Sequence, residues 1–300
     1  MAWTNHVLDL DPVLFVRAKR KEKSMKQIIL QDFIIGDGAP FVLIAGPCVI
    51  ENQKETRKIA IFLKKVAGDL DIPLIFEASY DKANRTSINS YRGPGLTKGL
   101  QILKDIKEEL KIPVLSDVHR FEEIEDSSQV LDVMQVPAFL CRQTDFVKEI
   151  AGSGRIINIK KGQFLAPWDV SNILKKVSST GNENIMITER GTSFGYNNLV
   201  SDFRSLPIIR DMGYPVIFDA THSVQLPGGL GNVSGGQRDM IPYLSRAAVA
   251  VGIDGLFLEV HPDPERALCD GPNSLYLDAL PGLLSMLKEI DETVKRERQP

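Results

Sequence analysis

The stretch VIFDATH, residues 216–222, runs from three apolar, β-prone residues into an aspartate and, three positions later, a histidine. An unbroken apolar run of this length suits a strand buried on both faces, as parallel strands are. Pro215 stands just before it and helps end the preceding helix. The pattern recurs. Short apolar runs fall at 41–45, 74–77, 114–117, 133–136, 156–160, 185–189, 216–219 and 256–259. The segments between them carry helical spacing. ETRKIAIFLKKVAGDL places Ile59, Phe62, Leu63 and Val66 on one stripe, and GLQILKDIKEELK does the same with Leu100, Leu103, Ile106 and Leu110. Pro73 and Pro113 precede their strands as Pro215 does. Strands alternating with helices imply parallel pairing, and eight such units predict a single-domain (β/α)8 barrel of the α/β class. Periodicity does not show closure, so an open doubly wound sheet is the alternative.

Each run gives way to polar residues. The ends read Gly46-Pro47-Cys48, Glu77 to Lys82, Asp117 to His119, Gln135 to Pro137, Lys160 to Gln163, Glu189 to Gly191, Asp219 to His222 and Glu259 to His261. In a barrel these carboxyl ends share one mouth, where catalytic groups gather. Loops are polar in general, but that does not explain charge beginning so often at the last strand residue. His119, His222 and His261 fall at this mouth with Cys48, Glu259 and Asp270, a mixed soft and hard donor set suited to Zn²⁺, Fe²⁺ or Mn²⁺. No short-spaced CxxC or HExxH pattern is present.

Lys82, Arg85, Arg92, Arg142, Lys160, Lys161 and Arg190 lie at or just beyond the same ends. Guanidinium forks and lysine charges in a cleft fit phosphate and carboxylate groups. YRGPG (91–95) and LPGGLGNVSGGQ (226–237) are flexible enough to close over a ligand, and a lid is expected at 228–236. The residues by themselves lead to a barrel enzyme acting on phosphorylated small molecules.

Composition narrows the partners. The formal net charge is −3, which gives no global basic field for nucleic acid or an anionic membrane. Three cysteines fit a reduced cytoplasm better than a secreted disulfide framework. No apolar run approaches the roughly 18–20 residues of a membrane span. Residues 1–24 place an apolar patch before a basic run at 17–23, the reverse of a signal peptide. They are read as an appendage or misassigned start ahead of a catalytic domain at 25–300.

IAGPCVIE, SYDKANRTS, YRGPGL, SDVH, VPAFLCRQTD, NIKKGQFLAPW, TERGTSFGYNNLVSDFRSLP, FDATHSVQLPGG, SGGQRD and LEVHPDPERALCDGPNS, in this order, resemble the 3-deoxy-D-manno-octulosonate 8-phosphate synthase family. The resemblance spans roughly residues 30–290. It implies a (β/α)8 barrel, usually a homotetramer. The implied activity is a transferase that condenses phosphoenolpyruvate with D-arabinose 5-phosphate and releases phosphate, on the path to the Kdo sugar of lipopolysaccharide. The family has a metal-dependent branch with cysteine in the first motif and a metal-independent branch with asparagine. Cys48 matches the former, and the implied ligands are Cys48, His222, Glu259 and Asp270. Lys160, Gln163 and Arg190 match phosphoenolpyruvate-binding positions, with Lys82 beside them. Asn84, Arg85 and Thr86 match the sugar-phosphate motif, and Arg142 matches an arginine contributed across a subunit interface. Asp117, His119, His222 and Lys82 are the candidates for catalysis.

Two positions depart from the pattern. Glu77 stands where the family usually has lysine, and CDGPNS looks more like the metal-independent branch. The chain is expected to be enhanced by metal. Cys141 and Cys269 are read as packing residues. The nearest rival is the 3-deoxy-D-arabino-heptulosonate 7-phosphate synthase, which carries a lysine-proline-arginine type motif where this chain has DKANRTS. A metal-binding barrel without catalysis is the alternative of a different class, supported directly only by Glu77.

Overall fold

The computed structural model describes residues 25–229 and 234–296. Eight strands form the frame: β1 (Val42–Gly46), β2 (Leu74–Glu77), β3 (Val114–Asp117), β4 (Val133–Val136), β5 (Ile156–Lys160), β6 (Ile185–Glu189), β7 (Val216–Asp219) and β8 (Gly255–His261). Each pairs in parallel with the next, and β8 pairs with β1 through Gly255↔Val42 to Glu259↔Gly46. The sheet therefore closes, which decides for the barrel over the open sheet.

The expected strand bounds hold at six of the eight. β1 begins one residue late, because the Phe41 amide donates to Asp291 Oδ2 (3.2 Å) and not to a neighbouring strand. β8 runs on to His261 because its end pairs with a short strand, Leu275–Tyr276.

The helices α1 (Gln53–Asp69), α2 (Leu96–Leu110), α3 (Ile124–Val130), α4 (Thr144–Gly152), α5 (Val170–Ser178), α6 (Ser205–Arg210), α7 (Ile241–Val251) and α8 (Leu280–Arg296) come after strands β1 to β8 in turn. Asn52 caps α1 by accepting the Glu55 amide at 2.9 Å. Its expected stripe faces the sheet, with Ile59, Leu63 and Val66 buried and Phe62 partly so. On α2, Leu100, Leu103, Ile106 and Leu110 are all buried.

Strand side chains alternate between two cores. Leu43, Phe76, Val114, Met134, Ile157, Ile187, Phe218 and Leu256 pack outward with the helices. Ile44, Ile75, Leu115, Val133, Ile156, Met186, Ile217 and Phe257 form a second cluster that contains no residue of α1–α8, and so lies inside the barrel. An antiparallel hairpin, Ile28–Leu30 with Phe33–Ile35, adds Ile28, Leu30 and Ile35 to that cluster and closes the amino end. Each such side chain taken fully from water contributes about 1.5–3 kcal/mol. Residues 1–24, read as an appendage, lie outside the described residues, as do 230–233 of the expected lid.

Candidate active site

Two residues beyond each inward apolar side chain, the alternation brings a polar one to the same face: Glu77, Asp117, Gln135, Asn158, Thr188, Asp219 and Glu259, with Gly46 on β1. A hydrogen-bond chain crosses this layer. Thr188 Oγ1 donates to Asn158 Oδ1 (2.7 Å), Asn158 Nδ2 to Gln135 Oε1 (2.7 Å), and Gln135 Nε2 to Asp117 Oδ1 (2.8 Å). Ser79 Oγ completes it at Asp117 Oδ2 (3.1 Å). Asp117 is thus held from two sides at the edge of a cavity of about 330 Å³.

One wall of that cavity is cationic. Lys160 Nζ donates to Asp219 Oδ2 and lies 3.1 Å from the centroid of the Phe257 ring. Burial lowers its pKa, and the Asp219 carboxylate works against that shift. Arg190 Nη2 donates to Gln225 Oε1 (3.2 Å), and burial lowers the Arg190 pKa as well. Lys82 Nζ stands 3.5 Å from Glu259 Oε1 and 4.0 Å from Asp117 Oδ2. Burial opposes its charge, but Cys48, Glu259 and Asp117 outweigh burial and raise its pKa well above the ordinary value. Asn84, Arg85, Thr86 and Gln163 line the same space.

Acidic groups adjoin these cations and hold His222 between them. Its Nδ1 is 2.7 Å from Asp219 Oδ2, and its Nε2 is 3.6 Å from both Glu259 Oε1 and Asp270 Oδ2. Burial disfavours the imidazolium, yet Asp219 and Glu259 raise the His222 pKa to about 10. Asp270 falls to about 2: burial opposes its charge, but the His222 hydrogen bond and charge prevail. Asp270 holds a left-handed backbone (φ 46°), fixed by the Asn273 and Ser274 amides that donate to its carbonyl.

The donor atoms of His222, Glu259 and Asp270 lie within 4.8 Å of one another, and so do those of Cys48, Cys269 and Asp270. Three of the four expected ligands therefore meet directly, and Cys48 reaches them through the shared Asp270. Glu259 Oε2 is buried with no hydrogen-bond partner among the described residues, which suits a ligand atom. The donor set fits a divalent cation.

Other expected residues are placed differently. His119 lines the cavity, whereas His261 lies to one side with Nε2 3.6 Å from Glu51 Oε1. Arg92 sits on the rim, held by Asp81. Lys161 points away from the mouth into a buried pair with Glu189 (3.5 Å), whose Oε1 accepts the Arg190 and Gly191 amides. Arg142 is exposed and does not line the cavity of its own chain. Reasoning from sequence gave no role to Asp219, although it holds both Lys160 and His222. The spacing D-x-x-H at a strand end was the available signal, since one tight turn lets the aspartate cap and orient the histidine: Asp219 Oδ1 accepts the His222 amide at 2.8 Å. Gln225, although it lies within the quoted FDATHSVQLPGG, carries no expected role. Cys269, read as a packing residue, sits beside Cys48.

A family model described as the DAHP synthetase I family matches residues 17–296. Several curated relatives cover 90% of the chain. A Geotalea daltonii protein named 2-dehydro-3-deoxyphosphooctonate aldolase is 65% identical over its whole length. Proteins of the same name from Geobacter sulfurreducens and Pelobacter propionicus are each 60% identical over 99% of theirs.

Proposed function

The chain belongs to the DAHP synthetase I family, and on that premise we infer that it condenses phosphoenolpyruvate with D-arabinose 5-phosphate and water. The products are 3-deoxy-D-manno-octulosonate 8-phosphate, which serves Kdo and lipopolysaccharide synthesis, and inorganic phosphate. The octonate name carried by relatives at 60–65% identity favours the eight-carbon product over the heptulosonate of the rival synthase. DKANRTS favours it too.

The observation that carries the reading at the site is a set of buried polar atoms facing one cavity. Arg85 Nε, His119 Nδ1, Gln163 Oε1, Arg190 Nη1, Glu77 Oε2 and Glu259 Oε2 have no hydrogen-bond partner among the described residues. Native interiors rarely leave such groups unpaired: the Arg85 and Arg190 donors suit an anionic ligand, the Glu259 oxygen suits a cation, and the Gln163 and Glu77 oxygens suit hydroxyl or acid protons of a substrate. Lys160, Gln163 and Arg190, with Lys82, hold phosphoenolpyruvate as charges and donors fixed before the ligand arrives. Asn84, Arg85 and Thr86 receive the sugar phosphate, joined by Arg142 of a neighbouring copy in a homotetramer. Burial orients the two substrates so that C3 of phosphoenolpyruvate faces the aldehyde carbon. The C3–C1 bond forms, the aldehyde oxygen takes a proton, water adds at C2, and the hemiketal phosphate breaks its C2–O bond to release phosphate. Lys82, Asp117, His119 and His222 are the candidates to move those protons. Cys48, His222, Glu259 and Asp270 would hold a Zn²⁺, Fe²⁺ or Mn²⁺ ion, which as a Lewis acid orients and polarises the aldehyde or a water.

The test is phosphate release from the two substrates by as-purified, chelated and metal-restored protein. Release that needs both substrates, falls on chelation and returns with metal is the expected result. Full turnover after chelation would remove the metal requirement, and silence under every condition would remove the synthase reading.

A further inference from the structure

Cys269, like Cys141, is read from the sequence only as a packing residue. It comes after β8 in the loop that also carries Asp270, and it packs against Cys48 and Val49 in a small cluster apart from both main cores. Its sulfur, the Cys48 sulfur and an Asp270 carboxylate oxygen lie within 4.8 Å of one another. Ligands of one zinc ion, at bonds of about 2.0–2.3 Å, stand no more than about 4.6 Å apart. Tetrahedral sulfurs at about 2.3 Å from zinc stand about 3.8 Å apart, so side-chain shifts of up to about an ångström bring both sulfurs to one ion at the Asp270 corner. His222 and Glu259 reach that corner from the other side.

A second observation points the same way. The Arg85 guanidinium lies directly against the Cys269 sulfur, and Arg85 Nη2 donates to the Leu268 carbonyl at 3.4 Å. A guanidinium against a sulfur is an outer-shell donor of the kind that orients and tunes a metal-bound thiolate. Charge is consistent with this. Two thiolates, Glu259 and Asp270 would carry four negative charges around a dication, and Arg85 and Lys82 are the two cations placed beside them.

We propose that Cys269 is a second thiolate ligand, so that the cation site of this protein contains two sulfurs beside His222, Glu259 and Asp270. The proposal rests on the metal-dependent reading above. Each thiol yields its proton to solvent as the ion binds, and no redox change is involved. Two sulfurs make the site soft, which favours Zn²⁺ over Mn²⁺ beyond what one cysteine would give.

Two measurements on the full chain test it. Cobalt(II) titration of the wild type, C48S and C269S reads the sulfur-to-cobalt charge-transfer band, whose intensity tracks the number of bound thiolates. The wild type should show about twice the band of either single variant, and C48S should keep a band. X-ray absorption of the zinc-loaded wild type, which depends on no variant folding, should count two sulfurs at about 2.3 Å. A C269S protein with the full wild-type band, or a single sulfur by absorption, would overturn the role of Cys269 and leave the metal site standing. A wild type that takes up neither cobalt nor zinc would overturn the metal reading itself, and the two failures are told apart by that control.

Discussion

Glu77 shows how much one side chain can change a subsite. It projects inward from the end of β2 between Lys82, Asp117 and Glu259, with Oε2 unpartnered among the described residues. Burial raises its pKa well above the usual carboxylate range; Lys82 pulls the other way, and Glu259 and Asp117 add to the rise. Below that raised pKa the group is a neutral acid that can donate to a substrate carboxylate, and above it a negative charge appears beside phosphoenolpyruvate. At an effective dielectric of about 20 and a separation of about 6 Å, like charges repel by about 2–3 kcal/mol, about a hundredfold in affinity before screening. The KM for phosphoenolpyruvate should therefore rise with pH in the wild type and stay nearly flat in E77Q, as steady-state kinetics across pH would read. Identical pH profiles for the two proteins would remove the proposed protonation of Glu77.

At the scale of elements, what matters is how strand ends are held. Gly46 ends β1 against the backbone of β2, so closely that a Cβ there would stand 1.6 Å from the Glu77 carbonyl oxygen. Only glycine allows the two strands to meet at this height, and Cys48 leaves the strand directly above. G46A should destabilise the fold by about 1–3 kcal/mol, the range of an overpacked interior, as read from the denaturant midpoint. An unchanged midpoint would mean that β1 and β2 part without strain. The Lys161–Glu189 pair works similarly at β5 and β6, where adjacent residues point to opposite sides. Lys160 and Arg190 enter the mouth, while Lys161 and Glu189 anchor the same two turns from behind. Sequence shows a charged cluster at each turn, but the alternation of faces divides it into ligand-facing and anchoring members.

For the whole molecule, the question is whether one copy makes a complete site. Arg142 is exposed beyond β4, its carbonyl accepting from Lys176 Nζ at 2.7 Å, and it is absent from the cavity lining of its own chain. If a neighbouring copy supplies it to the sugar phosphate, R142A loses a charge-assisted hydrogen bond of about 1.5–3 kcal/mol. The KM for arabinose 5-phosphate should rise by at least about tenfold, with that for phosphoenolpyruvate and the mass by light scattering unchanged. Unaltered sugar-phosphate affinity in R142A would count against the cross-subunit role.

The barrel was legible in the sequence because its units are local. Apolar runs such as 216–219, prolines at their starts and helical stripes such as Ile59, Leu63 and Val66 each depend on residues close together in the chain. Polar strand ends also marked which end of the sheet carries chemistry. Closure was not legible, since the β8–β1 pairing joins residues more than two hundred positions apart. The finer site depended on that closure. Cys48 and Cys269 come from the first and last strand ends, and Asp219 joins Lys160 to His222 across the mouth. The inward or outward aim of Lys160 and Lys161, neighbours of identical chemistry, was set by the pleat of a closed sheet. Local pattern determined which elements form and what chemistry each strand end carries; only long-range packing decided which side chains meet.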